Sequence, residues 1–131
     1  MNRRNAEGAL SDLELLKAEL LAAEGVLDIE YSFDKAEPCY VRCLEIIDRK
    51  NVSRAEAVAL ITSLFSSGSL SDEPVAFLMH KLRWPEVKVW AEGALRDMRN
   101  PKANGRPLEK IIAAYDSDWE NRVFYKSFSQ G

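Results

Sequence analysis

Apolar residues recur every three or four positions along most of this chain, the spacing that gathers them on one side of an α-helix. Ser11 and Glu14 stand in the relation of a capping box. They open SDLELLKAELLAAEG, with Leu13, Leu16, Leu20 and Ala23 on one stripe and Gly25 as the expected stop. The next stretch, VLDIEYSFD, alternates through Val26/Leu27, Ile29, Tyr31 and Phe33. It is the one strand-like signal, and with no second strand to pair with it predicts an extended connector. Pro38 fits the first turn of a second helix over 37–50, striped by Tyr40, Val41, Leu44 and Ile47. Arg42, Glu45 and Arg49 fall on its other side at pairing distance.

Ser53 and Glu56 repeat the capping box and open a third helix, with Ala57, Leu60, Ile61, Leu64 and Phe65 inward and Gly68 closing it. Ser71 is the expected cap of a fourth, DEPVAFLMHKLR, where Pro74 is tolerated in the first turn. Val75, Leu78, Met79 and Leu82 are its stripe. Trp84 precedes a proline and is pushed out of helical geometry, so the fourth helix ends near Arg83 and a fifth begins at Pro85. Its stripe is Val87, Trp90, Ala91, Ala94, Leu95 and Met98. NPKANGRP reads as a loop. A sixth helix begins at Pro107, with Leu108, Ile111, Ile112 and Tyr115 inward. Asp116-Ser117-Asp118 breaks it, and Asp118 is the expected cap of a last helix, WENRVFYKSF.

The pattern predicts a single all-α domain over 1–131, about seven helices in stacked antiparallel hairpins, with 1–10 flexible and 11–52 forming N-terminal helices. It also contains a repeat. PVAFLMHKLRWPEVKVW aligns with PLEKIIAAYDSDWENRVF at an offset of 33 to 34 residues, matching Pro74 with Pro107, Leu78 with Ile111 and Trp90 with Phe124. Helix pairs that recur at this period build α-solenoids. WPEVKVWAEGALRDMRNP resembles the first helix of a HEAT-type repeat, with Val87-Lys88 at the family's Val-Arg position, and LEKIIAAYDSDWENRV resembles the second. The resemblance spans about 53–128, departing from the family in Lys88, in the long 100–107 loop and in residues 1–52. It implies that the second helices, 72–83 and 107–116, line a concave face with 37–50 continuing the row, and that the protein acts by binding.

No run of eighteen apolar residues exists, and MNRRNAEGALSD lacks the apolar core of a secretory signal. Cys39 and Cys43 read as reduced, buried thiols of a cytoplasmic protein. No phosphate-binding, zinc-ligating or nucleophile motif is present, and neither cofactor nor metal is expected. His80 has no ligand companion nearby in sequence. Asp116, Asp118 and Glu120 read as helix-end acids rather than an acid/base set. Trp90 reads as core, and Trp84 and Trp119 as joints between hairpins.

Charge is what separates one end of the chain from the other. The net charge is −3. Residues 12–37 carry eight acids against Lys17 and Lys35, and 96–110 carry five cations against Asp97 and Glu109. The acidic stretch, through Glu24, Asp28, Glu30, Asp34 and Glu37, is a candidate surface for a basic protein partner. The expected function is therefore a non-catalytic interaction module, in its most concrete form a small bacterial immunity protein or antitoxin that blocks a basic toxin. Two alternatives stand beside it. One is a nucleic-acid-binding helical repeat using Arg96, Arg99, Lys102, Arg106 and Lys110. The other is an enzyme whose carboxylates assemble only in the fold.

Overall fold

A computed structural model describes residues 10–128, and among these it is all-helical, with seven α-helices, two short 3-10 segments and no strand. The expected flexibility of 1–10 lies, but for Leu10, outside the described residues.

Helix α1 (Asp12–Glu30) starts where the sequence predicts, on the Ser11–Glu14 capping box, with both reciprocal hydrogen bonds formed. It does not stop at Gly25. The helix runs straight through the glycine and through most of the expected connector, because Ala23, Val26 and Leu27 continue the stripe that packs on α2. Tertiary packing overrides the weak helix preference of one glycine. An added Cβ at Gly25 would meet nothing within 4 Å. Gly25→Ala is therefore expected to stabilise the fold by about 0.5–1 kcal/mol, read as a rise in the urea midpoint. The true stop is Tyr31, at φ 53°, whose N–H bonds to the Leu27 carbonyl.

Helix α2 (Phe33–Asp48) begins more than a turn before Pro38, which therefore sits inside the helix rather than at its start. The missing N–H there is tolerated because Ala36, Glu37 and Tyr40 are already committed inward. Ion pairs Asp12–Arg49 and Glu19–Arg42, at 3.1 and 3.0 Å, tie opposite ends and middles of α1 and α2 and fix them as an antiparallel hairpin.

Helices α3 (Arg54–Ser66), α4 (Asp72–Leu82) and α5 (Pro85–Asp97) follow the sequence reading closely. Ser71 does stand at the start of α4, but its hydroxyl makes no cap; its N–H and Oγ–H both donate to Glu24 at 3.0 and 2.8 Å. The expected 100–107 loop contains a single helical turn, α6 (Pro101–Asn104), and α7 (Arg106–Ala113) is short. The last predicted helix does not form. Asp118 caps nothing, and Glu120–Phe124 and Lys126–Phe128 are 3-10 segments. The N–H groups of Lys126 and Ser127 bond to the Glu37 carboxylate instead of to a helical carbonyl, so a tertiary acceptor wins over the helix. The second half of the internal repeat thus differs from the first, which carries a full helix in α5.

Helix α4 is the centre. Every residue from Glu73 to Met79 is buried, so it has no solvent face over two turns. It packs on α2 on one side and α7 on the other, which places α2, α4 and α7 in a row. That row is covered. Tyr125 lies against Tyr40 of α2 and Phe77 of α4, and Phe128 against Phe77 and His80, with ring centroids 4.7–6.0 Å apart. Residues 119–128 therefore form a strap over the row.

The tryptophans are distributed otherwise than the stripe predicts. Trp84 and Trp119, at the joints, are buried, whereas Trp90 is half-buried and meets Phe65 edge-on at 5.6 Å. Only Val87 and Ala91 of α5 reach full burial, because α5 lies at the margin of the bundle.

Candidate functional site

The corner between α1 and α2 exposes an aromatic side chain under backbone strain. Tyr31 is 88% exposed and held in the left-handed region, where non-glycine residues cost about 1–3 kcal/mol. Ile29 beside it is also exposed. Tyr31, Phe33, Asp34 and Phe124 line one depression of about 270 Å³. Phe33 and Phe124 pack edge-to-face at 5.5 Å, so the strap contributes an aromatic to the corner. Asp34 lines it, and Asp28 and Glu30, in the last turn of α1, are exposed. The Ser32 hydroxyl donates to Asp34 and holds its carboxyl below the usual carboxylate range.

The five candidate acids separate in space. Asp28, Glu30 and Asp34 remain at the surface, whereas Glu24 is half-buried on Ser71. Glu37 is buried, accepting from Lys126 N–H at 3.0 Å, Ser127 N–H at 2.7 Å and Ser127 Oγ–H at 2.5 Å. Its burial and its three hydrogen bonds to the strap remove it from the partner surface.

The same Phe33–Phe124 pair walls a second depression on its other side. This cleft, about 430 Å³, lies between α4, α7 and the strap. Glu73 and Trp119 form its buried floor, and Arg106, Lys110 and Glu120 its mouth. Glu73 is 4% exposed and accepts from Tyr125 Oη–H and from Asn121 Nδ2 at 2.9 Å. Burial raises its carboxyl above the ordinary value, with both hydrogen bonds pulling the other way. Burial likewise raises Asp72, with Lys110 the first of the groups opposing it. An acid in the first turn of a helix is most often a solvated dipole partner, so Glu73 carries no sequence signal of its own. Nothing local in SDEP distinguishes it.

Of the basic candidates, Arg96, Arg99, Lys102, Arg106 and Lys110 are all exposed. Arg106 and Lys110 turn to the cleft. Among the described residues no ion pair joins 96–110 to 12–37.

His80 is structural. Its Nδ1 lies 2.7 Å from the Ala114 carbonyl oxygen, which only accepts, so Nδ1 carries the proton. The ring rests against Trp119 at 5.0 Å. Burial lowers its pKa below the ordinary 6.5. A histidine depressed in the fold contributes stability that is present above its unfolded pKa and is lost as pH falls through the folded value. Relative to His80→Gln, the wild type is expected to lose stability between about pH 7 and pH 5, measured by urea unfolding at each pH. Cys39 and Cys43 are free and buried, and burial pushes the Cys43 thiol up to about 12, which makes it inert at neutral pH. Among the described residues no group of three or more His, Cys, Asp or Glu is placed to hold a metal ion, and no helix is long and apolar enough to cross a membrane.

Comparison of the chain with protein-family models, with curated proteins and with solved structures gives no match.

Proposed function

We propose that the protein is a non-catalytic binding module that takes a basic protein partner on the α1–α2 corner, with Tyr31 as the anchor. The observation that carries this reading is Tyr31 itself, 88% exposed, at positive φ, in a depression shared with Asp34 and Phe124, next in the chain to the exposed acids Asp28 and Glu30 at the end of α1. Tyrosine is enriched at binding hot spots, and an exposed aromatic held at a backbone strain is a costly thing to keep without a use. Exposed carboxylates close to it in the chain, Asp28, Glu30 and Asp34, steer a basic partner and make association fast and salt-sensitive. A small acidic antitoxin or immunity protein that blocks a basic toxin in a bacterial cytoplasm is the concrete form, and HEAT-like stacking of the hairpins is the scaffold that fits it. Reduced thiols at Cys39 and Cys43 agree with that compartment.

The second reading, nucleic-acid binding, draws on Arg96, Arg99 and Lys102, exposed and without an ion-pair partner among the described residues. The two separate in one experiment. The full chain is used as bait in a lysate of its native host at low and high salt, beside Tyr31→Gly and a triple Asp28→Asn, Glu30→Gln, Asp34→Asn variant. A basic protein retained by the wild type, released by salt, lost by the triple variant and weakened about tenfold or more by Tyr31→Gly is the expected result. Glycine relieves the positive φ, so that loss comes without loss of stability. Retention indifferent to both variants overturns the proposal. A gel shift at low salt, abolished by neutralising Arg96, Arg99 and Lys102, moves the reading to nucleic acid.

A further inference from the structure

Helix α1 is apolar on its solvent side as well as on its core side. Leu16, Leu20 and Ala23 are buried against the bundle. Ala18, Leu21, Ala22 and Ile29 are exposed on the other side, Leu21 at 39% and Ile29 at 75%. A helix with apolar residues on opposite sides is ordinarily covered on both. Gly25 falls in the same outer row, three after Ala22 and four before Ile29. A glycine inside a helix weakens it relative to alanine. Nothing within the chain requires one here: its φ is not positive, and an added Cβ would meet nothing within 4 Å. What the missing side chain permits is close approach of another backbone from outside. Ala22, Gly25 and Ile29 already help to wall a depression of about 470 Å³ on this side.

We propose that the outer side of α1 is the interface of a two-fold dimer with a second copy of this chain, the two α1 helices packed antiparallel. The sequence of α1 is self-complementary in that arrangement. Ala18, Ala22, Gly25 and Ile29 are spaced by four, three and four, which makes them one seam. A two-fold axis midway between Ala22 and Gly25 sets Ala22 against Gly25 of the second copy, where small residues let the helices close to about 8 Å. The same axis sets Ile29 against Ala18 of the second copy, large against small, at both ends. Charge follows the same register. Lys17 and Asp28 are eleven apart, about three turns, so they share one border of the seam. Antiparallel packing turns that border against itself and brings Lys17 of each copy beside Asp28 of the other. Both residues are exposed, and neither is in an ion pair within 4.0 Å among the described residues. On the opposite border Glu19 approaches Glu30 of the second copy, but Arg42 already holds Glu19 at 3.0 Å and compensates it. Parallel packing offers none of this, since it sets Ile29 against Ile29 and Lys17 against Lys17. The interface goes beyond the Tyr31 reading and shares only the end of α1 with it.

The test is sedimentation equilibrium of the full-length protein at low salt, from micromolar to near-millimolar concentration. A reversible monomer–dimer equilibrium is expected. Gly25→Gln is expected to weaken it at least about tenfold, because a long side chain then stands where the two backbones meet. Glutamine is a better helix former than glycine, and its Cβ meets nothing in its own chain, so this variant keeps the fold. Lys17→Asp and Asp28→Lys each set like charges opposite one another at both ends, and each alone is expected to weaken the dimer about three- to tenfold. Mixed in equal amounts, the two variants regain opposite charges in both pairs and are expected to associate within about threefold of the wild type. Gly25→Gln leaves Tyr31, Asp34 and Phe124 untouched, so this proposal and the Tyr31 reading fail separately. A chain that stays monomeric throughout the range overturns the dimer. So does a dimer indifferent to Gly25→Gln, or one whose mixed charge variants associate no better than either alone.

Discussion

Tyr125→Ala is expected to lower the stability of the fold by about 3–5 kcal/mol, seen as a fall of the urea midpoint with an unchanged slope. Tyr125 is 2% exposed and touches four other rings, Tyr40, Phe77, Trp119 and Phe128, with centroids 4.8–6.1 Å away. Truncation removes that contact and leaves a cavity beside a fully buried Phe77. It also withdraws the hydroxyl from Glu73, stranding one oxygen of a buried carboxylate. Tyr125→Phe separates the two effects. It keeps the rings and deletes only the donor, and is expected to cost about 1–3 kcal/mol. Against a typical total of about 5–15 kcal/mol, the alanine variant loses a large part of the stability. A loss below about 1 kcal/mol would mean that the strap is not part of the cooperative core.

Glu37→Ala is the second large effect, and it acts on the same strap from the other side. Two backbone N–H groups and one hydroxyl converge on this carboxylate within 2.5–3.0 Å. Hydrogen bonds to a charged acceptor contribute about 1.5–3 kcal/mol, and donors left in a partly buried place lose their solvation without compensation. A loss of about 2–4 kcal/mol is expected. Hydrogen exchange adds a readout of position: the Lys126 and Ser127 amides should lose protection while amides of α3 keep theirs at a given denaturant concentration. Glu37→Gln retains one acceptor oxygen but turns an NH₂ toward N–H donors, so it should rescue less than half of the loss.

These two residues show where the sequence was readable. The third helix was legible from end to end because everything that determines it is local: Ser53 and Glu56 close their box within one turn, and Gly68 follows at φ 84°. Ser11 and Glu14 fixed the start of α1 equally well. Its end was misread because Gly25 carries a local stop signal that α2, packed alongside, outweighs. Pro38 misled in the same way. The C-terminal helix failed for a non-local reason: Glu37 lies 89 and 90 residues from the groups it holds. No periodicity in WENRVFYKSF announces that.

The candidate site divides along the same line. The acidic excess of 12–37 was plain from composition, but the fate of each acid was not. Glu24 goes to Ser71 and Glu37 to the strap, across 47 and 90 residues, leaving Asp28, Glu30 and Asp34 outside. The strand-like alternation around Ile29, Tyr31 and Phe33 was a real irregularity, read as a connector when it is a helix end with exposed apolar side chains. Glu73 and Asn121, which meet at the cleft floor across 48 residues, had no signal at all.

The strap has a consequence for how the chain is made. Residues 119–128 leave the ribosome after every surface they cover, Phe77 some fifty positions earlier and Tyr40 earlier still. At ordinary synthesis rates that is an interval of roughly 3–10 s in which the aromatic face of α2 and α4 has no lid. Closing a contact over such a span also carries a loop-closure entropy that the nascent chain must meet before any burial repays it. A translation product halted before Trp119 would present Tyr40, Phe77 and His80 to whatever is nearby. In the cell that makes the interrupted chain a client for chaperones and a seed for aggregation.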